Sequence, residues 1–375
     1  SGAVDAGACH GEQPMNDMTP IERARTLRST SDLVASGLVP EANRAGVEAV
    51  AVRYAVAITP AMADLIDPAD PADPIARQFV PDPAELTTTP EERADPIGDD
   101  AHTVSEGLIH RYPDRVLLKL VSVCPVYCRF CFRRETVGQA GSGLLSAQAL
   151  EQALAYIGAH EEIWEVILSG GDPLVAAPRR LESVMRALAE IDHVKVVRLH
   201  TRVPVVAPER VTTELVDALT ASGKSVWLAL HANHPRELTP AARAALRRLA
   251  AGGVSLVSQT VLLKGINDDV ETLAALMRSF VEAGVKPYYL HHADLAPGTA
   301  HFRTTIAEGQ ALMRALRGRV SGLCQPTYVL DIPGGHGKAP IGPCTLSGAE
   351  DGGYEIEDFN GGRHAYSDTS GQPAA

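Results

Sequence analysis

Cysteine is scarce in this sequence, with six in 375 residues. So few cannot build a disulfide scaffold in a chain of this size. Nor do they form the two close pairs that a closed structural zinc site needs, because Cys9, Cys324 and Cys344 stand singly. Basic residues are also short: Lys and Arg total 34 against 46 Asp and Glu, a formal net charge of −12. The broad basic surface of a nucleic-acid-binding protein is therefore not expected, although a local pocket can carry either sign. No apolar run approaches the roughly 18 residues of a membrane span, and no basic-then-apolar signal pattern opens the chain. An initiator Met is missing, and Ser1-Gly2-Ala3 reads as a processing scar or the remains of a tag. These absences point to a cytoplasmic, reducing location.

What is present is ordinary for a globular protein, 45% apolar and 21% charged. Residues from about Thr19 to Asp67 read as helices broken near Pro40 and Pro60. Ala45, Ala49, Val52 and Val56 lie three and four apart and predict one apolar helix face. Asp67 to Pro74 carries proline every third residue, which forbids a helix interior and reads as an extended strap before a polar loop to Asp100. From Arg115 the pattern becomes regular. Apolar runs at Val116–Val123, Glu165–Leu168, Val194–Leu199, Val226–Leu230, Val254–Leu263 and Pro287–Leu290 alternate with helix-like stretches. Those stretches are Ala147–Ile157, Leu181–Ile191, Thr213–Ala221, Ala241–Ala250 and Glu271–Ala283. Strands alternating with helices predict a parallel α/β sheet. Six units suit a partial, open (β/α)6 barrel of TIM type, with its chemistry at the C-terminal strand ends. The division expected is an N-terminal helical cap over residues 1–100, the barrel over 101–304, and a C-terminal segment over 305–375.

The one cluster of cysteines directly follows the first apolar run, as Cys124-Pro125-Val126-Tyr127-Cys128-Arg129-Phe130-Cys131. Thiolates so spaced can hold an iron–sulfur cluster or part of a zinc site. Three ligands on a four-iron cluster leave one iron open to an exogenous molecule. With Phe130 before the last cysteine, the stretch resembles the signature of the radical S-adenosylmethionine (SAM) superfamily. After the second run comes Ser169-Gly170-Gly171-Asp172-Pro173. By itself this is an ordinary strand-to-helix turn, whose glycines let backbone approach a ligand. About forty residues beyond the cysteines, it resembles the superfamily's glycine motif. His231 ends the fourth run and Gln259 lies in the fifth, and both are secondary candidates for contact with SAM.

Two further stretches suggest a second cofactor. In His110-Arg111-Tyr112-Pro113-Asp114-Arg115, two guanidinium groups bracket an aromatic ring and suit a phosphate. In Asp331-Ile332-Pro333-Gly334-Gly335-His336-Gly337-Lys338-Ala339, a glycine loop ends in lysine. It is not a P-loop, because Ile332 takes the place of the first glycine and Ala339 that of the hydroxyl residue. A lysine on a glycine arm suits a Schiff base with a carbonyl cofactor instead.

The combination resembles the lysine 2,3-aminomutase family, from about Ile58 to Lys338. It includes Ile58-Thr59-Pro60, Leu65-Ile66-Asp67-Pro68, Arg202-Val203-Pro204-Val205-Val206, Asn233-His234-Pro235, Asp294-Leu295 and His301-Phe302-Arg303-Thr304. The resemblance implies a 4Fe–4S cluster on Cys124, Cys128 and Cys131, with SAM near Phe130, Gly170, Gly171, Asp172, His231 and Gln259. It implies pyridoxal 5′-phosphate (PLP) carried on Lys338 as a Schiff base, with Arg111, Tyr112 and Arg115 around it. By the same resemblance, Arg133 meets the substrate α-carboxylate, and Asp294 and Asp331 meet its distal ammonium. Were these two aspartates not substrate readers, they would cap a helix or pair with Arg303. In the implied reaction, a 5′-deoxyadenosyl radical takes hydrogen from the β-carbon of L-lysine, nitrogen migrates, and hydrogen returns, giving β-lysine. An electron donor such as flavodoxin or ferredoxin and a homo-oligomer are also implied. The chain departs from the clostridial pattern in having only Cys344 after Lys338, Asp269 where those enzymes carry a further cysteine, and His336 inside the glycine loop. No zinc is therefore expected. The alternatives are an aminomutase for another amino acid such as glutamate, the β-lysine-forming enzyme of elongation factor P modification, and a protein whose cluster is purely structural.

Overall fold

The computed structural model describes residues 25–138, 143–348 and 353–367. Ser1-Gly2-Ala3, Cys9 and the beginning of the helical reading at Thr19 lie outside them. The central feature is a ten-stranded sheet whose order in space follows the order in the chain. Its strands are β1 (Thr103–Ser105), β2 (Leu108–Tyr112), β3 (Arg115–Val121), β4 (Glu165–Gly170), β5 (Val196–Thr201), β6 (Ser225–His231), β7 (Ser255–Val261), β8 (Lys286–His291), β9 (Thr327–Asp331) and β10 (Lys338–Pro340). From β3 to β9 every neighbour is parallel. The edges are antiparallel hairpins, β2 with β3 and β9 with β10.

The six expected runs are β3 to β8. The parallel series continues into β9, after a crossover helix at Ile306–Leu316. The sequence does not announce this strand, because five residues before a glycine loop look like the arm of that loop. The five expected helices all form, at Ala147–Ala159, Pro178–Ala189, Thr213–Thr220, Pro240–Ala251 and Val270–Glu282. Their starts have sequence reasons. Ser146, Thr212, Thr239 and Asp269 each accept a backbone N–H of the first turn, a cap that contributes about 0.5–2 kcal/mol. Asp269, the position of the missing cysteine, therefore has a capping role here, accepting from Thr272 N–H at 2.9 Å. Helix Pro178–Ala189 shows the packing rule for all of them. It buries Leu181, Val184, Met185 and Leu188 at helical spacing against the sheet.

Before the sheet, two expectations fail. Helix Arg44–Arg53 buries Val47 and Val50, while Ala45, Ala49 and Val52 face solvent and Val56 lies beyond the helix end. Alanine is too weakly apolar to set the buried face, and the Val47–Val50 pair with Tyr54 sets it instead. Asp67 to Pro74 is a chain of turns, not an extended strap. Asp67, Asp70 and Asp73 each accept the N–H two residues on, at 2.9, 2.8 and 2.8 Å. Proline removes helix donors, but the aspartates supply local acceptors that fold each repeat back.

This N-terminal segment braces the cysteine loop. Tyr127 N–H donates to Ala57 O at 3.1 Å, and Arg129 N–H to Gln78 O at 2.9 Å. Glu85, with no exposed surface, accepts from both Arg129, at 2.6 Å, and Arg134. Removing one partner of such a buried group costs about 3–5 kcal/mol. Glu85→Ala should therefore lower the anaerobic melting temperature by several degrees; an unchanged melting curve would show that the network does not hold the loop. After β10, β11 (Leu346–Gly348), β12 (Tyr354–Glu357) and β13 (Arg363–Tyr366) make a separate small sheet, tied back by Arg317 to Glu357 at 3.0 Å. Among the described residues no helix is long and apolar enough to cross a membrane.

Candidate active site

The loop leaving β3 turns tightly, with Cys131 N–H on Cys128 O at 3.1 Å and Arg134 N–H on Cys131 O at 3.2 Å. Cys124, Cys128 and Cys131 are free thiols facing one cavity. Burial, reinforced by Cys128, pushes Cys131 up to about 11, and burial, reinforced by Asp172 and then the other two thiols, pushes Cys124 well above the ordinary range. Three thiolates crowded together need a cationic centre among them, which fits an iron–sulfur cluster. Cys128 already receives a donor, Arg202 Nη1 at 3.0 Å. Arg202 is held from behind by Gln78, at 2.9 Å, and by Glu237. Glu237 also accepts the N–H groups of Asn233 and His234, at 2.8 and 2.9 Å. The landmarks Arg202-Val203-Pro204 and Asn233-His234-Pro235 thus meet behind one cysteine. Sequence reasoning assigned neither a role, because pairing across 35 positions leaves no spacing signal.

The glycine pair ends β4. Gly170 has φ +114°, and a Cβ there would strike Val121 O, while one on Gly171 would strike Val123 O. Gly171 N–H and Asp172 N–H bond those same carbonyls at 2.7 and 3.0 Å. The glycines thus have a packing reason that spacing did not suggest: they admit the backbone that leads into the cysteines. Asp172 is engaged by Thr201 Oγ1 and Arg202 N–H, both at 2.7 Å, and by Leu174 N–H at 3.0 Å. His231 and Gln259 are register partners on β6 and β7. Burial first, then Arg202 and His291, bring His231 down to about 3, so its ring is neutral. Gln259 Nε2 also lies 3.4 Å from Nε2 of His200, a cavity residue on β5 that the sequence did not single out. Phe130 stands edge-on to Phe302 with centroids 6.1 Å apart.

Across the cavity lies the lysine hairpin. Lys338 is the register partner of Asp331, and its Nζ sits 2.6 Å from each carboxylate oxygen. The hairpin closes through Ile332 N–H on Gly337 O at 2.8 Å, with Gly334, Gly335 and Gly337 at φ +91°, +87° and +87°. Only glycine takes such a run without strain. His336 is exposed and does not line the cavity. Tyr112 Oη accepts Lys338 N–H at 2.8 Å, and the Arg115 guanidinium stacks on the Tyr112 ring at 3.7 Å. Arg111 and Arg133 both turn to Asp99, each at 2.8 Å. Burial opposes the charge of Asp331, but His291 and Lys338 outweigh it and hold the carboxyl well below its usual range. Asp294 goes the other way: burial and Asp331 raise it to about 7. Arg303 pairs with Glu92, not with either aspartate.

One cavity of about 610 Å³ gathers every residue that the sequence singled out as a ligand. It places the three thiols and the glycine pair on one wall with Lys338, Tyr112, Arg111, Arg115, Arg133, Asp294 and Asp331 on the others. Arg111 and Arg133, each with a buried Nε that has no partner, are among the lining residues. A lysine amine, a group of guanidinium side chains and a trio of thiols around one cavity fit a carbonyl phosphate cofactor and a cluster together.

The radical SAM superfamily pattern matches residues 118–277. The L-lysine 2,3-aminomutase of Clostridium subterminale is 43% identical over 288 residues, 77% of this chain and 69% of that protein. The L-lysine 2,3-aminomutase of Acetoanaerobium sticklandii is 42% identical over 306 residues, 82% of this chain and 73% of that one. The glutamate 2,3-aminomutase of Clostridioides difficile is 37% identical over 297 residues, 79% and 70% of the two chains.

Proposed function

Because this chain belongs to the L-lysine 2,3-aminomutase family, we propose that it interconverts L-lysine and β-lysine (3,6-diaminohexanoate). It is an isomerase of the radical SAM type, using a 4Fe–4S cluster, SAM and PLP. Bound together, cluster and SAM supply hydrogen abstraction, and PLP supplies the group across which nitrogen migrates. Cys124, Cys128 and Cys131 hold the cluster, and Phe130, Gly170, Gly171, Asp172, His231 and Gln259 border SAM. Lys338 would carry PLP, with Arg111 and Arg115 for its phosphate and Tyr112 close to the cofactor. Arg133 takes the substrate α-carboxylate. The protein orients these groups and excludes water.

The observation that carries the substrate is the bidentate grip of Asp331 on Lys338 Nζ, at 2.6 Å. An alkylammonium of the same chemistry as the substrate's far end already sits there. With Lys338 drawn toward a bound cofactor, Asp331 would be open to the lysine ε-ammonium, shared with Asp294. Arg133 cannot make this choice, since every amino acid has an α-carboxylate. Glutamate would bring a third negative charge between the two aspartates.

Asp294→Asn and Asp331→Asn should each lower kcat/KM for lysine about tenfold to a hundredfold, since a charge-assisted hydrogen bond contributes about 1.5–3 kcal/mol. The assay is anaerobic, with lysine, ornithine and glutamate compared side by side. Equal turnover of glutamate by the parent enzyme would reject the reading. The pH dependence has a definite sign. Asp294, raised to about 7, must be ionised to bind the ammonium, so kcat/KM for lysine should climb between about pH 6 and 8. In Asp294→Asn that rise should flatten. The required single electron comes from a donor of the flavodoxin or ferredoxin kind, and a cytoplasmic location follows from an oxygen-sensitive cluster. A homo-oligomer belongs to the same reading and rests on the family alone.

A further inference from the structure

The two arginines assigned to different ligands are not independent. Arg111 Nη2 donates to Asp99 Oδ1 and Arg133 Nη2 to Asp99 Oδ2, both at 2.8 Å. All three side chains are nearly buried, at 10%, 14% and 12% exposure for Arg111, Arg133 and Asp99. Two guanidinium charges this close repel each other, and the carboxylate between them leaves a net single positive charge. Each arginine spends one nitrogen on Asp99 and keeps its buried Nε unpartnered.

Asp99 is itself fixed. Its N–H donates to Asp95 Oδ1 at 2.9 Å, and its carbonyl accepts Thr103 Oγ1 at 3.1 Å. The same turn is pressed against the lysine hairpin. A Cβ on Gly98, at φ +70°, would strike the Gly334–Gly335 backbone, and His102 Nε2 lies 2.9 Å from Gly335 O. One short segment, residues 95–103, therefore touches the phosphate-side arginine, the carboxylate-side arginine and the loop that presents Lys338.

We propose that Asp99 is a positioning residue that couples the PLP-phosphate site to the substrate-carboxylate site by sharing one carboxylate between Arg111 and Arg133. This rests on the proposed function, in which Arg111 meets PLP and Arg133 meets the substrate. When Arg133 is lost, Asp99 turns wholly to Arg111 and competes with the phosphate for it. A ligand on Arg133 draws that guanidinium away from Asp99, and the carboxylate settles differently on Arg111.

The test is a PLP titration by absorbance, without substrate, on cluster-loaded protein. Arg111→Gln should weaken PLP about tenfold or more, since it removes a charge-assisted contact. Arg133→Gln, although Arg133 is not a PLP contact in this reading, should also weaken it about tenfold. In an Asp99→Asn background, Arg133→Gln should change PLP affinity less than twofold. Equal effects of Arg133→Gln in both backgrounds would overturn the coupling. If Asp99→Asn does not fold, the parent background still decides, because an Arg133→Gln protein with parental PLP affinity overturns it as well. Unchanged PLP affinity in Arg111→Gln would instead reject the assignment of Arg111 to PLP, and the coupling with it. Melting temperature and iron content of each variant separate these outcomes from general damage.

Discussion

Lys338→Ala is expected to abolish aminomutase turnover and the absorbance band of lysine-bound PLP, while iron content and SAM binding stay at the parental level. The substitution removes the amine but not the hairpin. Tyr112 Oη bonds the backbone N–H of residue 338, not its side chain, and the β9–β10 register is carried by backbone. The electrostatics do change. Asp331 loses the cation on both of its oxygens and keeps only His291, whose Nδ1 is 3.7 Å away. Without that cation its charge meets that of its neighbour Asp294 less screened, which raises its carboxyl. Added lysine should consequently still bind the variant, since its ammonium can occupy the vacated place, and equilibrium dialysis can measure that. An unchanged PLP spectrum would place the Schiff base on another lysine.

Cys128→Ala carries the other large effect: SAM cleavage should vanish, and the iron retained after anaerobic reconstitution should fall to a small fraction of the parent's. One cluster iron loses its protein ligand. The variant also leaves Arg202 Nη1, which donates to that sulfur at 3.0 Å, without this acceptor, although Gln78 and Glu237 still hold Nη2. A buried guanidinium deprived of an acceptor destabilises the fold by about 1–3 kcal/mol, so the melting temperature of the iron-free variant should lie below that of iron-free parent protein. Full SAM cleavage by Cys128→Ala would end the radical SAM assignment for this loop.

Much of this architecture was legible in the sequence, for physical reasons that vary by element. Strands whose core side is fully buried are rich in apolar residues, so β3 to β8 stood out even where Lys119, Arg198 and His200 interrupt them. The helices between them were legible as helix-like stretches between those runs, and the structure adds the caps Ser146, Thr212, Thr239 and Asp269. β9 did not, because a five-residue strand ahead of three glycines has no periodicity of its own. The N-terminal helix buries a different face from the one expected, since Ala45 and Ala49 weigh little against Val47 and Val50. The cavity residues share one place because strand ends converge, which motif order does reveal. Asp99, Glu237 and His200 were invisible, and Arg202 was a landmark without a role, because each acts through a partner distant in sequence. Asp99 reaches Arg133 across 34 positions, and no local pattern encodes such a pairing. Asp172 and the glycines were singled out for a ligand, yet each also has a purely structural partner.

The hydrogen bond from Lys338 N–H to Tyr112 Oη spans 226 positions and bears on how the enzyme is made. It joins the hairpin that opens the sheet to the hairpin that closes it, so the PLP end of the cavity exists only when both are present. A nascent chain that has emerged as far as β8 already holds the cysteine loop, the glycine pair and both arginines. It does not yet hold the lysine. The radical-generating half is therefore complete before the half that moves nitrogen, and this long-range contact, of a kind slow to form, is made after it. Cluster insertion into nascent chains, followed by iron-dependent protection from proteolysis, should thus precede any capacity to bind PLP.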